Sequence, residues 1–237
     1  MTEEKIPILI QDRLRDRKPF VCYRKPGSEL IVTWLCDSAE YLSPGNLSGS
    51  GFIFSPFDQS GKTVLFPLEY SELVKTKFKD LSIDPSTGMK GAGKEKDLRS
   101  QRKEHIELVK SAVYEIQSGN AVKLVVSRKE EVHNITPDAA SIFLRLTSFY
   151  PHAFNYIWYH PEIGLWTGAS PETLVQVEGS SFRTMALAGT QRDQGSHEVI
   201  WGEKEKEEQG LVTDLIRKEL GQMLRTVGEP YTQRAGH

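Results

Sequence analysis

Cysteine is nearly absent from this 237-residue sequence, with Cys22 and Cys36 the only two. Two thiols so far apart build neither a disulfide framework nor a C-x-x-C redox pair nor a zinc knuckle, so reduced, structural thiols are expected. Long apolar runs are absent too. Nothing approaches the roughly 20 residues that cross a bilayer, and the start, Met-Thr-Glu-Glu-Lys, has no apolar secretory core. A cytoplasmic chain that avoids membranes is the expectation. Nor is there an excess of either charge: 30 Lys and Arg face 32 Asp and Glu, a net charge of -2. The basic residues are scattered, which argues against a nucleic-acid or anionic-lipid partner. The six histidines have no metal-ligand spacing, and no base is paired with a Ser or Cys, which removes zinc sites and hydrolase triads. Small-molecule chemistry remains.

What is present is ordinary globular material, 38% hydrophobic and 26% charged. Short β-prone runs at 20–23, 30–35, 51–54 and 63–66 are broken by turn residues and predict strands. Residues 80–102 are polar and Gly-rich, predicting an exposed excursion. Lys90, Gly93 and Lys94 there lack the Gly-Lys-Ser/Thr ending of a phosphate loop. Ile106, Val109, Ala112, Val113 and Ile116 fall at helical spacing, so a helix ending near Gly119 should press an apolar face on a sheet. Residues 121–127 then read as a strand. A helix carrying Ala140, Ile142, Phe143 and Leu146 follows Pro137 and stops at Tyr150 and Pro151. Strands are predicted at 155–160, 165–168, 173–178 and 181–186, with a hairpin turn at Glu178, Gly179, Ser180 and Ser181. A charged helix over 202–224 ends the pattern before Gly228 and Pro230. Strand runs with irregularly placed helices point to α+β.

Several polar groups stand out. Lys123 sits among Ala121, Val122, Leu124, Val125 and Val126, so either strand face gives it apolar neighbours. An edge strand with the lysine reaching water is one reading. In the other, desolvation disfavours the ammonium and frees a neutral amine as general base, with Arg128 acting in the same direction. Glu172 follows the small residues Gly168, Ala169 and Ser170 and then Pro171. Ser-Pro-Glu can begin an ordinary helix, but the following Thr-Leu-Val-Gln-Val is β-prone, which favours a carboxylate on a turn, placed to act as an acid. In the last helix, at about 100° per residue, Glu208 lies on the stripe of Leu211, Val212, Leu215 and Ile216, while Glu203 and Lys206 point away. An inward carboxylate needs a partner. Lys204 one turn earlier is one choice, and a hard cation such as magnesium is the other. Ala186, Leu187, Ala188, Gly189 and Thr190 offer small residues and backbone amides that could line an anion pocket.

In order, Lys123-Leu124-Val125-Val126-Ser127-Arg128, Gly168-Ala169-Ser170-Pro171-Glu172, Thr184-Met185-Ala186-Leu187-Ala188-Gly189-Thr190 and the Glu203-to-Glu208 segment resemble the chorismate-utilising enzymes. The resemblance is strong from about Glu104 onward and looser before it. It implies an α+β fold with two β layers and flanking helices: one domain over 1–237, with a β-rich part at 1–79, a linker or loop at 80–103 and the catalytic portion from 104. The Ala-Leu-Ala-Gly-Thr form is similar to that of isochorismate synthases, whereas anthranilate synthases usually carry Pro-Ile-Ala-Gly-Thr and aminodeoxychorismate synthases often a lysine where Ala188 stands.

By that resemblance Lys123 activates water for attack at C2 of chorismate and Glu172 protonates the departing C4 hydroxyl. Glu208 holds Mg²⁺ against the substrate carboxylate. Gly168, Ala169, Ser170, Leu187, Ala188, Gly189 and Thr190 border the substrate. The product would be isochorismate, for menaquinone or siderophore synthesis, with no obligatory protein partner. Salicylate synthase, anthranilate synthase component I and a non-catalytic fragment are the alternatives. The family pattern also includes a C-terminal half with a second magnesium carboxylate, and Arg234-Ala235-Gly236-His237 resembles a segment that continues into a further strand. The chain alone is therefore expected to be truncated and inactive.

Overall fold

The computed structural model describes residues 5–42, 49–57, 61–78, 95–129, 138–192, 199–223 and 228. The chain divides into two compact units: Met1–Asp84 with Asp138–Met185 and Val227–His237, and Pro85–Pro137 with Ala186–Thr226.

The first unit opens with a helix, α1 (Lys5–Arg15), that buries Ile6 and Ile10. Its Pro7 lies in the first turn, where an amide is not needed as a donor. Six strands follow: β1 (Phe20–Arg24), β2 (Leu30–Cys36), β3 (Glu40–Leu42), β4 (Gly51–Phe54), β5 (Thr63–Pro67) and β6 (Ser71–Lys77). In the second unit comes the long helix α2 (Glu95–Gln117), and the chain then returns through α3 (Ala139–Phe149), β7 (Phe154–His160), β8 (Gly164–Ser170), β9 (Gln176–Glu178) and β10 (Ser181–Arg183). Helix α4 (Glu203–Leu220) belongs to the second unit.

An antiparallel five-stranded sheet runs β6-β2-β1-β7-β8, a three-stranded sheet runs β3-β5-β4, and β9 pairs with β10. Side chains alternate along a strand, so β1 feeds two cores. Phe20 and Cys22 join Ile31 and Ile157 against Ile6 and Ile10 of α1 and Ala140, Phe143 and Leu144 of α3. Val21 and Tyr23 face the opposite way, with Trp34 and Trp158, toward Val64, Phe66, Phe52 and Phe54 of the small sheet. The unit is thus a helix layer, a five-stranded sheet and a three-stranded sheet. The expected two β layers and the α+β class are present.

Local chemistry explains the element ends. Asp138 caps α3 by accepting from the Ala140 amide at 3.2 Å, a donor that a helix start otherwise leaves orphaned, and it also accepts from the Ser141 hydroxyl at 2.6 Å. Buried Arg24 donates to the carbonyls of Ser28 and Thr147, the latter tying β1 to α3. Both cysteines are buried and free, and burial pushes the Cys22 thiol up to about 12. Gly179, with φ 57°, turns the two-residue β9–β10 hairpin where the sequence places it.

Several expectations are corrected. Residues 121–127 form no strand: none of them belongs to a ladder, and Val122 and Val125 are 74% and 84% exposed. β-Propensity is a local signal, but a strand also needs a hydrogen-bonding neighbour. The face of α2 does not pack on a sheet either, since Ile106, Val109, Val113 and Ile116 are exposed. α2 begins at Glu95, inside the stretch read as loop, because its first turns are charged and carry no apolar period. Residues 80–94 of that stretch lie outside the described residues, as do Arg234 to His237. The ladder of β10 stops at Arg183, short of 186, and β9 starts only at Gln176. α4 ends at Leu220, where Gly221 at φ 49° closes the helix before the Gly228 signal.

Candidate active site

In the second unit, Gly119 at φ 77° ends the turn after α2, and the irregular segment that follows carries Lys123. The Lys123 Nζ lies 3.2 Å from Glu208 Oε1, with the two side chains 25% and 37% exposed. The carboxylate read as needing a partner and the lysine read as a base are therefore each other's neighbours. Among the described residues the ion pair of Glu208 is with Lys123, not with Lys204. Glu208 is less exposed than Glu203, the order that helical angle predicts. Glu203, 93% exposed, pairs with Lys206 at 2.9 Å on the outward face, and Lys206 holds its carboxyl below the usual range. The inward face itself is shallower than predicted, because no residue of α4 is buried.

Gly189 brings a third motif to the same helix. A Cβ on it would stand 2.6 Å from the Glu205 carbonyl oxygen, and its φ is +78°. Only glycine meets both conditions without strain. Gly189 therefore lies close against the first turn of α4, at Glu205, three residues before Glu208, while Leu187 and Thr190 of the same segment are exposed.

Glu172 belongs to the first unit. Gly168, Ala169 and Ser170 are strand residues of β8, paired with Tyr156, Asn155 and Phe154, and the chain then runs through Pro171 to an exposed Glu172. No helix starts there, so the capping reading of Ser-Pro-Glu falls. The Ser170 hydroxyl donates to the Glu172 carbonyl at 3.2 Å, the Thr173 amide donates to Met185 Sδ at 3.0 Å, and the Thr184 hydroxyl donates to the Leu174 carbonyl at 2.7 Å. The connection holding Glu172 is thus tied to the strand leaving β10. Sequence reasoning quoted Met185 within a motif but gave it no role, since a thioether acceptor leaves no pattern in sequence. It also missed Tyr156, whose hydroxyl sits where a Cβ on Gly168 would go, 2.8 Å away.

The family described as chorismate binding enzyme matches residues 70–232, more than half of the chain. The chain belongs to that family. Among curated relatives, anthranilate synthase component 1 of Thermococcus kodakarensis is 30% identical over 139 residues, covering 55% of this chain and 30% of that protein. The Mycolicibacterium smegmatis protein of the same name is 31% identical over 145 residues, covering 54% of this chain and 27% of its own. That of Haloferax volcanii is 26% identical over 203 residues, covering 82% and 38%. The matched segment is thus about a third of these relatives' length. No solved structure matches the chain. Among the described residues of this family member, no helix is long and apolar enough to cross a membrane.

Magnesium, which the family implies, can be tested on the donor set. Among the described residues no group of three or more His, Cys, Asp or Glu is arranged to hold a metal. Glu208 is one hard oxygen donor that already faces a cation, the Lys123 ammonium. One carboxylate completed by water and substrate oxygens is a common arrangement for magnesium. The residues present fit that role as a single protein ligand.

Proposed function

We propose that the chain is part of an enzyme that adds a nucleophile at C2 of chorismate and expels the C4 hydroxyl. The observation that carries the residue assignment is the 3.2 Å approach of Lys123 Nζ to Glu208 Oε1 beside the Gly189 loop. Two independently read motifs, those of Lys123 and Glu208, meet there, and Gly189 lies against the first turn of the same helix, which supports the reading. In this reading Lys123 takes the proton of the incoming nucleophile, and Glu172 gives a proton to the leaving oxygen. Gly168, Ala169, Ser170 and the segment from Leu187 to Thr190 border the ring and its carboxylates. Mg²⁺, when bound, supplies charge neutralisation and orientation at the substrate carboxylate. Glu208 is its ligand from this chain. The whole of 1–237 is read as one chorismate-binding-type domain, with its catalytic portion from 104 onward.

The identity of the nucleophile separates two versions. The relatives are named anthranilate synthase component 1, which favours ammonia as nucleophile and a second component or free ammonia as its source. The Ala186-Leu187-Ala188-Gly189-Thr190 motif favours water and an isochorismate product. We rank the anthranilate version first, because relatives of that name match across several organisms while the motif argument rests on two positions, Ala186 and Leu187.

The test is chorismate conversion with Mg²⁺, with and without an ammonium salt, by this chain and by one extended to the length of its relatives. Products are resolved by chromatography. Anthranilate that depends on ammonium supports the first version. Isochorismate without ammonium supports the second, and salicylate with pyruvate places the protein with the salicylate synthases. Untouched chorismate under every condition removes the enzymatic reading.

A further inference from the structure

We propose that the Lys123 ammonium and a divalent cation compete for the Glu208 carboxylate, so that a bound cation displaces Lys123 from its ion pair. The inference rests on reading Glu208 as a metal ligand, and it adds a device to that reading: occupancy of the cation position decides whether the lysine is held or free.

Glu208 offers one negative charge, and Lys123 Nζ lies 3.2 Å from its Oε1. A divalent cation binding that carboxylate would stand within a few ångströms of the ammonium, where like charges repel strongly in a partly desolvated setting. The smaller, doubly charged ion gains more from the carboxylate than the ammonium does, and magnesium binds hard oxygen closely. The lysine is also the partner able to move. It has a flexible four-carbon stem, and it sits on a segment, 121–129, that belongs to no helix or strand ladder. Glu208 is fixed by comparison, on a helix whose first turn is packed closely against Gly189. When the cation arrives, Lys123 swings away as a free side chain. When it leaves, Glu208 recaptures the ammonium, so a metal-free site is self-neutralised rather than left with an uncompensated charge. Lys206 provides an internal comparison, because it pairs with Glu203 on the outward face of the same helix.

Two measurements test this without recourse to turnover. Mg²⁺ binding is followed by titration calorimetry for the 237-residue chain and for Lys123→Met and Glu208→Gln. Lysine reactivity is followed by reductive methylation and mass spectrometry, with and without Mg²⁺ at matched ionic strength. Removing the competing ammonium should tighten Mg²⁺ binding about threefold or more, the factor that corresponds to loss of a partly exposed pair. Mg²⁺ should accelerate methylation of Lys123 and leave Lys206 unchanged. Glu208→Gln should abolish both responses. If Lys123→Met binds Mg²⁺ no better while Glu208→Gln weakens it, the competition is overturned and Glu208 stands as a ligand. If Glu208→Gln binds Mg²⁺ as well as the native chain, both the competition and the ligand reading fall. Labelling of the unsubstituted chain decides the matter if Lys123→Met does not fold, since an unchanged Lys123 rate in Mg²⁺ overturns the proposal by itself.

Discussion

Gly168 stands opposite Tyr156 in the β7–β8 ladder, and a methyl group on it would fall 2.8 Å from the tyrosine hydroxyl oxygen and 2.9 Å from the ring carbon that bears it. The glycine of the Gly-Ala-Ser-Pro-Glu motif thus has a packing reason of its own, independent of any substrate. Gly168→Ala should cost about 1–3 kcal/mol, as overpacking does, measured by urea unfolding. Combined with Tyr156→Val the two costs should be less than additive, because they share one contact. Additive costs would show that the tyrosine yields freely.

Gly189 combines positive φ with a carbonyl 2.6 Å from where its Cβ would lie. Gly189→Ala should destabilise the second unit by about 2 kcal/mol or more, adding backbone strain to a clash. Amide hydrogen exchange should locate the loss in the first turn of α4. Protection of that turn at the native level would contradict the close approach.

Lys123→Ala and Glu172→Gln, made in whichever length of the protein converts chorismate, should each lower kcat by about 10²–10⁴-fold, the range for a general base or acid. Thermal unfolding midpoints should stay near that of the unsubstituted protein, since Glu172 is exposed and Lys123 only partly buried. A large fall in midpoint with normal turnover would return both residues to structural roles.

His160 is buried, and its Nδ1 accepts the Glu162 amide at 3.1 Å, an arrangement that requires an unprotonated nitrogen. Burial lowers its pKa, Glu162 opposes the shift, and Lys62 adds to it. The unfolded chain therefore takes up this proton at a higher pH than the folded one does. The stabilisation is complete above the ordinary histidine value of about 6.5 and is lost as pH falls below it through the folded value. Unfolding free energy should drop more steeply between about pH 7 and about pH 5 for the native chain than for His160→Gln. Equal slopes would assign the acid sensitivity to other groups.

How much was legible depends on where each signal lies along the chain. Strands β1, β2, β4 and β5, helix α3 and the Gly179 hairpin could be read locally, because apolar alternation, an Asp cap and a turn glycine act over a few residues. β6 was missed because an edge strand with Glu72, Lys75 and Lys77 carries little alternation. α1 was missed because Pro7 interrupts the pattern at a position where the helix tolerates it. Residues 121–127 went wrong the other way, since pairing is a property of a distant partner and not of the segment. The same distinction runs through the site. Helical angle singled out Glu208, but that its partner is Lys123 and not Lys204 depends on how α4 and the segment after α2 come together, which no spacing in either segment records.

The central strand β1 gains β2 on one side at once, but on the other it pairs with β7, Phe20 meeting Tyr159 about 140 residues later. At ribosomal speeds of roughly 5–20 residues per second, that edge stays bare for roughly 7 to 28 seconds while the intervening chain is made. Val21, Cys22 and Phe20, all fully buried at the end, spend that interval uncovered on one flank. Expression of this protein should therefore depend on temperature and on chaperone supply more than its final stability would suggest, because the hazard lies in the order of synthesis.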